Sequence, residues 1–393
     1  MSFYADPVFF VFLVPIIAIA AFLGLTGKSL YGYGCAVSMA MLLALYYGNP
    51  SGLALCAGYV LGSVLLAKWV LRLFKTEHPH AIALYRIALA LQIAPLFIYK
   101  LTVTTGSGIL GFLGISYITF KGVQVLIEIR DGLIHQLSSL DYVYFLTFFP
   151  TYTSGPILRS RTFVEDVHAQ LSVDEYIWRL YRGLGWIVVG ITYKFVFSSL
   201  AQWAQWFLPN LIGTKNAGTF LLTQVVSCVS YGIYEFFDFA GYSHMAMGVG
   251  LCLGVEVMRN FDKPFAAIDL KDFWLRWHAS LSTWARDYIF MRFVYASMKH
   301  KWFKSRITTA AVGYMVTMVI IALWHGINFD YLLYGLYYGA CMAGIEYLQK
   351  KWKFYKKHRH DRWFQVAEWS VNMVAVFIGF ALFNGQFFHP VIV

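Results

Sequence analysis

Runs of about twenty apolar residues recur along this chain with short loops between them, and nothing else in the sequence constrains its fold as strongly. They lie near 8–25, 31–48, 51–71, 82–99, 106–127, 184–206, 219–238, 308–327, 331–348 and 366–387. Each is long enough to cross the hydrocarbon core of a bilayer. In lipid, a backbone must satisfy its own hydrogen bonds, so such segments become helices. The expectation is an all-α polytopic membrane protein with about 10–11 transmembrane helices. Composition agrees: 59% of residues are hydrophobic and only 13% are charged. A soluble domain carries about 25% charged residues, so a disordered chain is excluded and a standard soluble enzyme is disfavoured. No internal repeat, low-complexity tract or flexible linker divides the sequence, so 1–393 reads as a single transmembrane domain.

Charge sets the expected topology. The formal net charge is +11. In a membrane protein this excess reflects Lys and Arg gathered in cytoplasmic loops, and it does not point to nucleic acid. The first 26 residues contain no Lys or Arg, which is unlike a secretory signal, and Lys28 follows the first run. The N-terminus is therefore expected outside and the first loop inside. The loop carrying Lys68, Arg72 and Lys75 falls inside by the same rule, and the uncharged loop at Asn49–Gly52 falls outside, so the alternation is self-consistent. Lys121, Arg130, Arg159 and Arg161 place the next polar stretch inside, and the basic loop Lys350–Arg362 falls inside as well.

Two segments depart from the pattern. Asp141–Gly155 is too short to cross and return, and reads as a re-entrant or buried segment. Met258–Arg306 has no run apolar enough to span, and reads as amphipathic helices at or inside the cytoplasmic face. The five cysteines, Cys35, Cys56, Cys228, Cys252 and Cys341, are scattered without a CxxC pair, so they read as small core residues.

Ionisable residues at membrane depth are functional candidates by default. His325, in Leu323-Trp324-His325-Gly326, closes a long apolar run. From the residues alone this histidine is either a ring satisfied by a neighbour's hydrogen bond or by interfacial water, or, since burial disfavours the imidazolium, a neutral general base toward a hydroxyl. Gly326 beside it allows close approach of backbone or substrate. The second place is Asp272 to Asp287. On a continuous helix, Trp274, Trp277, His278 and Ser282 would share one face, and Asp272 and Arg276 would pair. Ser280 and Ser282 lack the GxSxG surroundings of a nucleophile, and neither HExxH nor paired carboxylates point to a metal. Asp238 and His244, around Gly241, read as part of a tight turn.

The stretch Asp272–Arg286 with Asp287-Tyr288, followed by Trp324-His325-Gly326, resembles the paired motifs of the membrane-bound O-acyltransferase (MBOAT) family. Phe149-Pro-Thr-Tyr-Thr-Ser-Gly155-Pro156 and Phe237-Asp238-Phe-Ala-Gly241-Tyr resemble further family segments. Within the family, Phe290-Met291-Arg292-Phe293 looks like the DltB-like, D-alanyl-transferring branch. His244 departs from the Asp usual in the polysaccharide O-acetyltransferase branch, which leaves that branch as the alternative.

The resemblance implies a ring of helices with a thin centre between two funnels that meet near His325. It implies an acyltransferase that moves D-alanine from a carrier-protein thioester on the cytoplasmic side towards teichoic acid outside, for cell-wall D-alanylation. His325 and His278 match the catalytic positions. Trp324, Gly326, Trp277, Ser282, Asp272, Arg276 and Arg286 would bind substrate or support the site. Phosphopantetheine arrives on the donor, a DltC-like D-alanyl carrier protein, and the chain itself is expected to bind neither a cofactor nor a metal. Further implied partners are a DltD-like outer-face protein and a teichoic acid or small membrane peptide as acceptor. Such carriers are acidic, and Arg292, Lys299, Lys301, Lys304 and Arg306 would form their docking rim. A transporter with pore-lining histidines is the competing reading outside enzymes, but the repeated halves common in transporters are missing.

Overall fold

A computed structural model describes residues 2–392, and they divide into two compact units. The first comprises 1–191 and 242–259, the second 192–241 and 260–393. Seven helices are long and apolar enough to cross a membrane, and among the described residues there is no β-strand. This is an all-α, multi-pass membrane protein.

The first unit contains α1 (Pro7–Leu25), α2 (Tyr31–Leu45), α3 (Pro50–Lys75), α4 (Ala81–Val103), α5 (Ile115–Arg130), α6 (Ser139–Thr147), α7 (Ser160–His168) and α8 (Val173–Ile191). Helix starts follow local chemistry. Asp6 caps α1 by accepting from the Val8 amide at 2.9 Å, and Asn49 caps α3 by accepting from Gly52 at 2.9 Å. A proline fills the first helical position in both, where the missing N–H costs nothing.

Helix α5 begins later than expected, after the glycine-rich turn 104–114, and it is buried along almost its whole length. Its polar side chains explain why it is less apolar than a lipid-facing span. Lys121 Nζ donates to the Phe145 carbonyl at 2.9 Å, so an amino group satisfies a carbonyl at the C-terminal end of α6. Gln124 donates to the Leu158 carbonyl at 2.9 Å, and Ser160 Oγ donates to Glu128 at 2.5 Å. Together they pin the stretch from α6 to α7, whose residues 144–152 are buried. This is the irregular buried segment the sequence predicts.

The second unit contains α9 (Ser198–Ile212), most of α10 (Ala217–Cys252), α11 (Leu270–Arg276), α12 (Ala279–Ala285), α13 (Met291–Lys299), α14 (Arg306–His325), α15 (Phe329–Lys351), α16 (Lys353–His358) and α17 (Arg362–Phe383). Short helices α11 to α13 fill the stretch expected to be amphipathic, and none of them is among the seven span-length helices. Three other expected spans also fall outside those seven. α2 is only 15 residues, α5 carries buried polar groups, and α15 is rich in Tyr and Gly.

One expectation is overturned here. Asp238, Gly241 and His244 do not form a turn, because α10 runs unbroken from Ala217 to Cys252. A glycine inside a helix costs only about 1 kcal/mol, and burial of residues 240–252 outweighs it.

Candidate active site

The site is built in the second unit around a break in the helix that carries His278. Asp269 caps α11 by accepting from the Asp272 amide at 2.9 Å, and Asp272 pairs with Arg276 at 2.7 Å, as the spacing predicts. The expected continuous face from Trp274 to Ser282 is not formed. Trp277 is extended and makes an antiparallel bridge with Phe261, and His278 takes the left-handed conformation at φ 46°.

Backbone pairing explains the break. The Asp262 amide donates to the Arg276 carbonyl at 3.0 Å, and the Ala279 amide donates to the Asn260 carbonyl at 2.9 Å. The Asn260 side chain also accepts from the Ser280 amide at 3.3 Å. These bonds satisfy groups that a continuous helix would have used, and α12 restarts just after His278. A left-handed residue other than glycine is strained, so the surrounding pairing must hold it. Ser282 contributes, its amide donating to the His278 carbonyl at 3.0 Å and its Oγ to the Trp277 carbonyl at 3.4 Å.

The His278 ring is buried. It packs edge-on against Phe239 of α10 with centroids 4.7 Å apart, and against Trp324 at 6.5 Å. Its Nδ1 has no hydrogen-bond partner on any other residue. Burial pushes its pKa down to about 3, so the ring is neutral at any physiological pH.

His325 is the last residue of α14 and is half-buried. Four rings surround it: Trp324 at 4.5 Å, Phe383 of α17 at 4.9 Å, Tyr331 at 5.8 Å and Tyr334 at 6.4 Å. Gly326 is required by close approach, since a Cβ there would lie 2.7 Å from the Tyr331 ring. Trp324 touches both histidine rings, so the structure joins the two sequence motifs through one indole.

Trp277 stacks on Phe273 at 5.6 Å and packs on Phe380 at 5.0 Å, which anchors the bridge to α17. Arg286 is exposed and bonds its neighbour Asp287 at 2.8 Å, with no contact among the described residues tying it to either histidine. Lys299, Lys301, Lys304 and Arg306 are exposed at and after the end of α13, and Arg292 is half-buried.

Several residues of the site lay outside the sequence reading. Phe239, Phe383, Tyr331 and Tyr334 are aromatic residues in aromatic-rich helices, and nothing local distinguishes them. Glu235 is different. It lies one turn before Phe239 on α10, with Tyr231, Tyr331 and Tyr334 near its carboxyl. An acid inside the apolar run 219–238 was the available signal. Asp238, on the next turn, pairs with Lys194 at 2.5 Å.

The family model for membrane-bound O-acyltransferases (MBOAT) matches residues 66–383. Among curated relatives, a teichoic acid D-alanyltransferase of Bacillus subtilis is 36% identical over 99% of both chains. One from Streptococcus thermophilus is 33% identical, covering 97% of this chain and 94% of its own. A probable alginate O-acetylase AlgI of Pseudomonas aeruginosa is 29% identical, covering 70% of this chain and 49% of its own.

Proposed function

This chain belongs to the membrane-bound O-acyltransferase family, and on that premise we propose that it transfers D-alanine from a carrier-protein thioester to teichoic acid. The observation that carries the reading is the pair of histidines sharing Trp324, one half-open among aromatic rings and one buried and neutral. Basic loops face the cytoplasm and the N-terminus lies outside, so the donor approaches from the cytosolic side. The donor is a DltC-like carrier whose phosphopantetheine arm, long and thin, delivers the acyl group as part of the substrate. A DltD-like partner and a lipid-linked polymer or small membrane peptide receive it on the outer side.

The chemistry needs a base and a proton return. His325 takes the proton of the acceptor hydroxyl as that oxygen bonds to the thioester carbonyl carbon. The tetrahedral intermediate collapses with cleavage of the C–S bond. The imidazolium gives its proton to the departing pantetheine sulfur, leaving a D-alanyl ester and a free thiol. His278, neutral and held by the backbone bridge, offers Nδ1 to orient the substrate. O-acetylation is the second reading, supported by the lower and partial likeness to the alginate O-acetylases. Glu235 favours the first, because a carboxyl near Tyr331 and Tyr334 suits the ammonium of an aminoacyl group, for which it can act as hydrogen-bond acceptor.

The test is transfer of labelled D-alanine from charged carrier to membrane acceptor by the full chain in liposomes. His325→Ala is expected to lose at least about a hundredfold in rate while inserting and melting like wild type. Wild-type transfer by that variant would remove His325 as the base. An acetyl thioester on the same carrier is expected to be the poorer donor, and Glu235→Gln is expected to narrow the difference. Equal use of both donors by the unaltered chain would favour the acetyltransferase.

A further inference from the structure

A second cavity, in the first unit, is unrelated to the histidines and has a distinct chemistry. It encloses about 360 Å³, within the usual range for small-ligand sites. Three arginines line it: Arg159 just before α7, Arg182 on α8, and Arg259 at the end of the unit. Its floor is apolar, with Leu158, Met247 and Leu251.

The two acids on its wall leave Arg182 and Arg259 largely uncompensated. Asp166 is occupied, accepting from the Glu256 amide at 2.8 Å and from Arg179 at 3.5 Å. Glu256 reaches Arg182 only at 3.9 Å, and its side chain is 59% exposed. Arg259 has no ion-pair partner among the described residues, and its guanidinium lies over the face of Trp186 at 5.4 Å. The level in the membrane is marked by exposed aromatics on the same helix. Trp178 and Tyr181 stack at 6.2 Å and are largely exposed, as interfacial belt residues are. The Arg182 guanidinium lies 5.6 Å over Trp178.

We propose that this cavity is a binding site for the phosphate head of an anionic phospholipid of the cytoplasmic leaflet. Guanidinium groups match phosphate oxygens in a fork, and basic pockets beside membrane helices on the cytoplasmic side are suited to such headgroups. The apolar floor takes the glycerol and the first acyl carbons. The cytoplasmic placement rests on the topology proposed above; the arginine cluster and its cavity do not.

The experiment is native mass spectrometry of the full chain released from nanodiscs of phosphatidylcholine with or without phosphatidylglycerol. Wild type is expected to retain one phosphatidylglycerol in preference to phosphatidylcholine. Arg182→Gln and Arg259→Gln are each expected to weaken retention about fivefold. Arg182→Lys and Arg259→Lys, which keep the charge, are expected to retain more lipid than the Gln variants, and this separates lipid loss from misfolding. Equal retention of both lipids by wild type would overturn the proposal. So would Gln variants that hold phosphatidylglycerol unchanged while their KM for the charged carrier rises, since the cavity would then serve the donor's phosphodiester. Loss of D-alanyl transfer on His325→Ala is indifferent to this outcome, so the two proposals fail separately.

Discussion

His278 carries a prediction that follows from burial alone. Its folded pKa, about 3, lies below the ordinary value of 6.5, so between these pH values the unfolded chain binds one proton more than the folded one. Stability therefore rises with pH across this window and is fully present above about pH 6.5. As pH falls towards 3, this one site removes about 1.4 kcal/mol per unit. His278→Gln in detergent is expected to show a shallower fall of Tm between pH 6.5 and 4 than wild type. Parallel curves would mean that the ring gains a proton partner when acidified. The two histidines were legible because they interrupt or close apolar runs, where an ionisable group needs a reason to be present. Their ring partners were not, because one phenylalanine among the 34 in this chain looks like another until helices are packed. Glu235 was legible by the same rule as His325, being an acid inside the apolar run 219–238.

At the level of elements, the segment around His278 shows where periodicity misleads. Spacings of three and four from Trp274 to Ser282 are satisfied by a helix, but residues 260–262 compete for the same backbone groups and win. That competition is a long-range pairing and leaves no trace in local sequence. It assigns Asn260 a positioning role, since its backbone accepts from Ala279 and its side chain from Ser280. Asn260→Ala removes the side-chain bond and is expected to cost about 1–2 kcal/mol. Transfer is expected to fall through kcat more than KM, because the His278 ring loses its fixed placement while the donor surface is untouched. Asn260→Asp keeps an acceptor and is expected to recover part of the rate; wild-type transfer in both variants would show that the backbone bridge alone holds the turn. The opposite failure occurs in α10, where Gly241 invited a turn and burial of the following residues kept the helix. Long apolar helices were legible throughout, since length and hydropathy are properties of the segment itself.

Across the whole chain, the excess of eleven positive charges has two explanations with different consequences. Topological bias alone would scatter Lys and Arg over every cytoplasmic loop and the helix ends beside it, and the basic stretches at 68–75, the end of α3, and at 350–362 fit that account. The cluster Lys299, Lys301, Lys304 and Arg306 is exposed and begins at the end of the short helix that leads away from the His278 segment. An acidic carrier is drawn to such a patch by charge at distance, which raises the association rate and leaves the chemistry alone. That attraction is screened within about 10 Å at 0.1 M salt and about 3 Å at 1 M. KM for the charged carrier is therefore expected to climb with ionic strength while kcat stays level. Lys299→Glu, Lys301→Glu and Lys304→Glu together are expected to raise KM at low salt by at least about tenfold. The same triple variant is expected to flatten or invert the salt dependence, because added ions would then screen a repulsion. If KM of the variant follows wild type at every salt concentration, the patch serves only to orient the chain in the bilayer, and the carrier docks elsewhere.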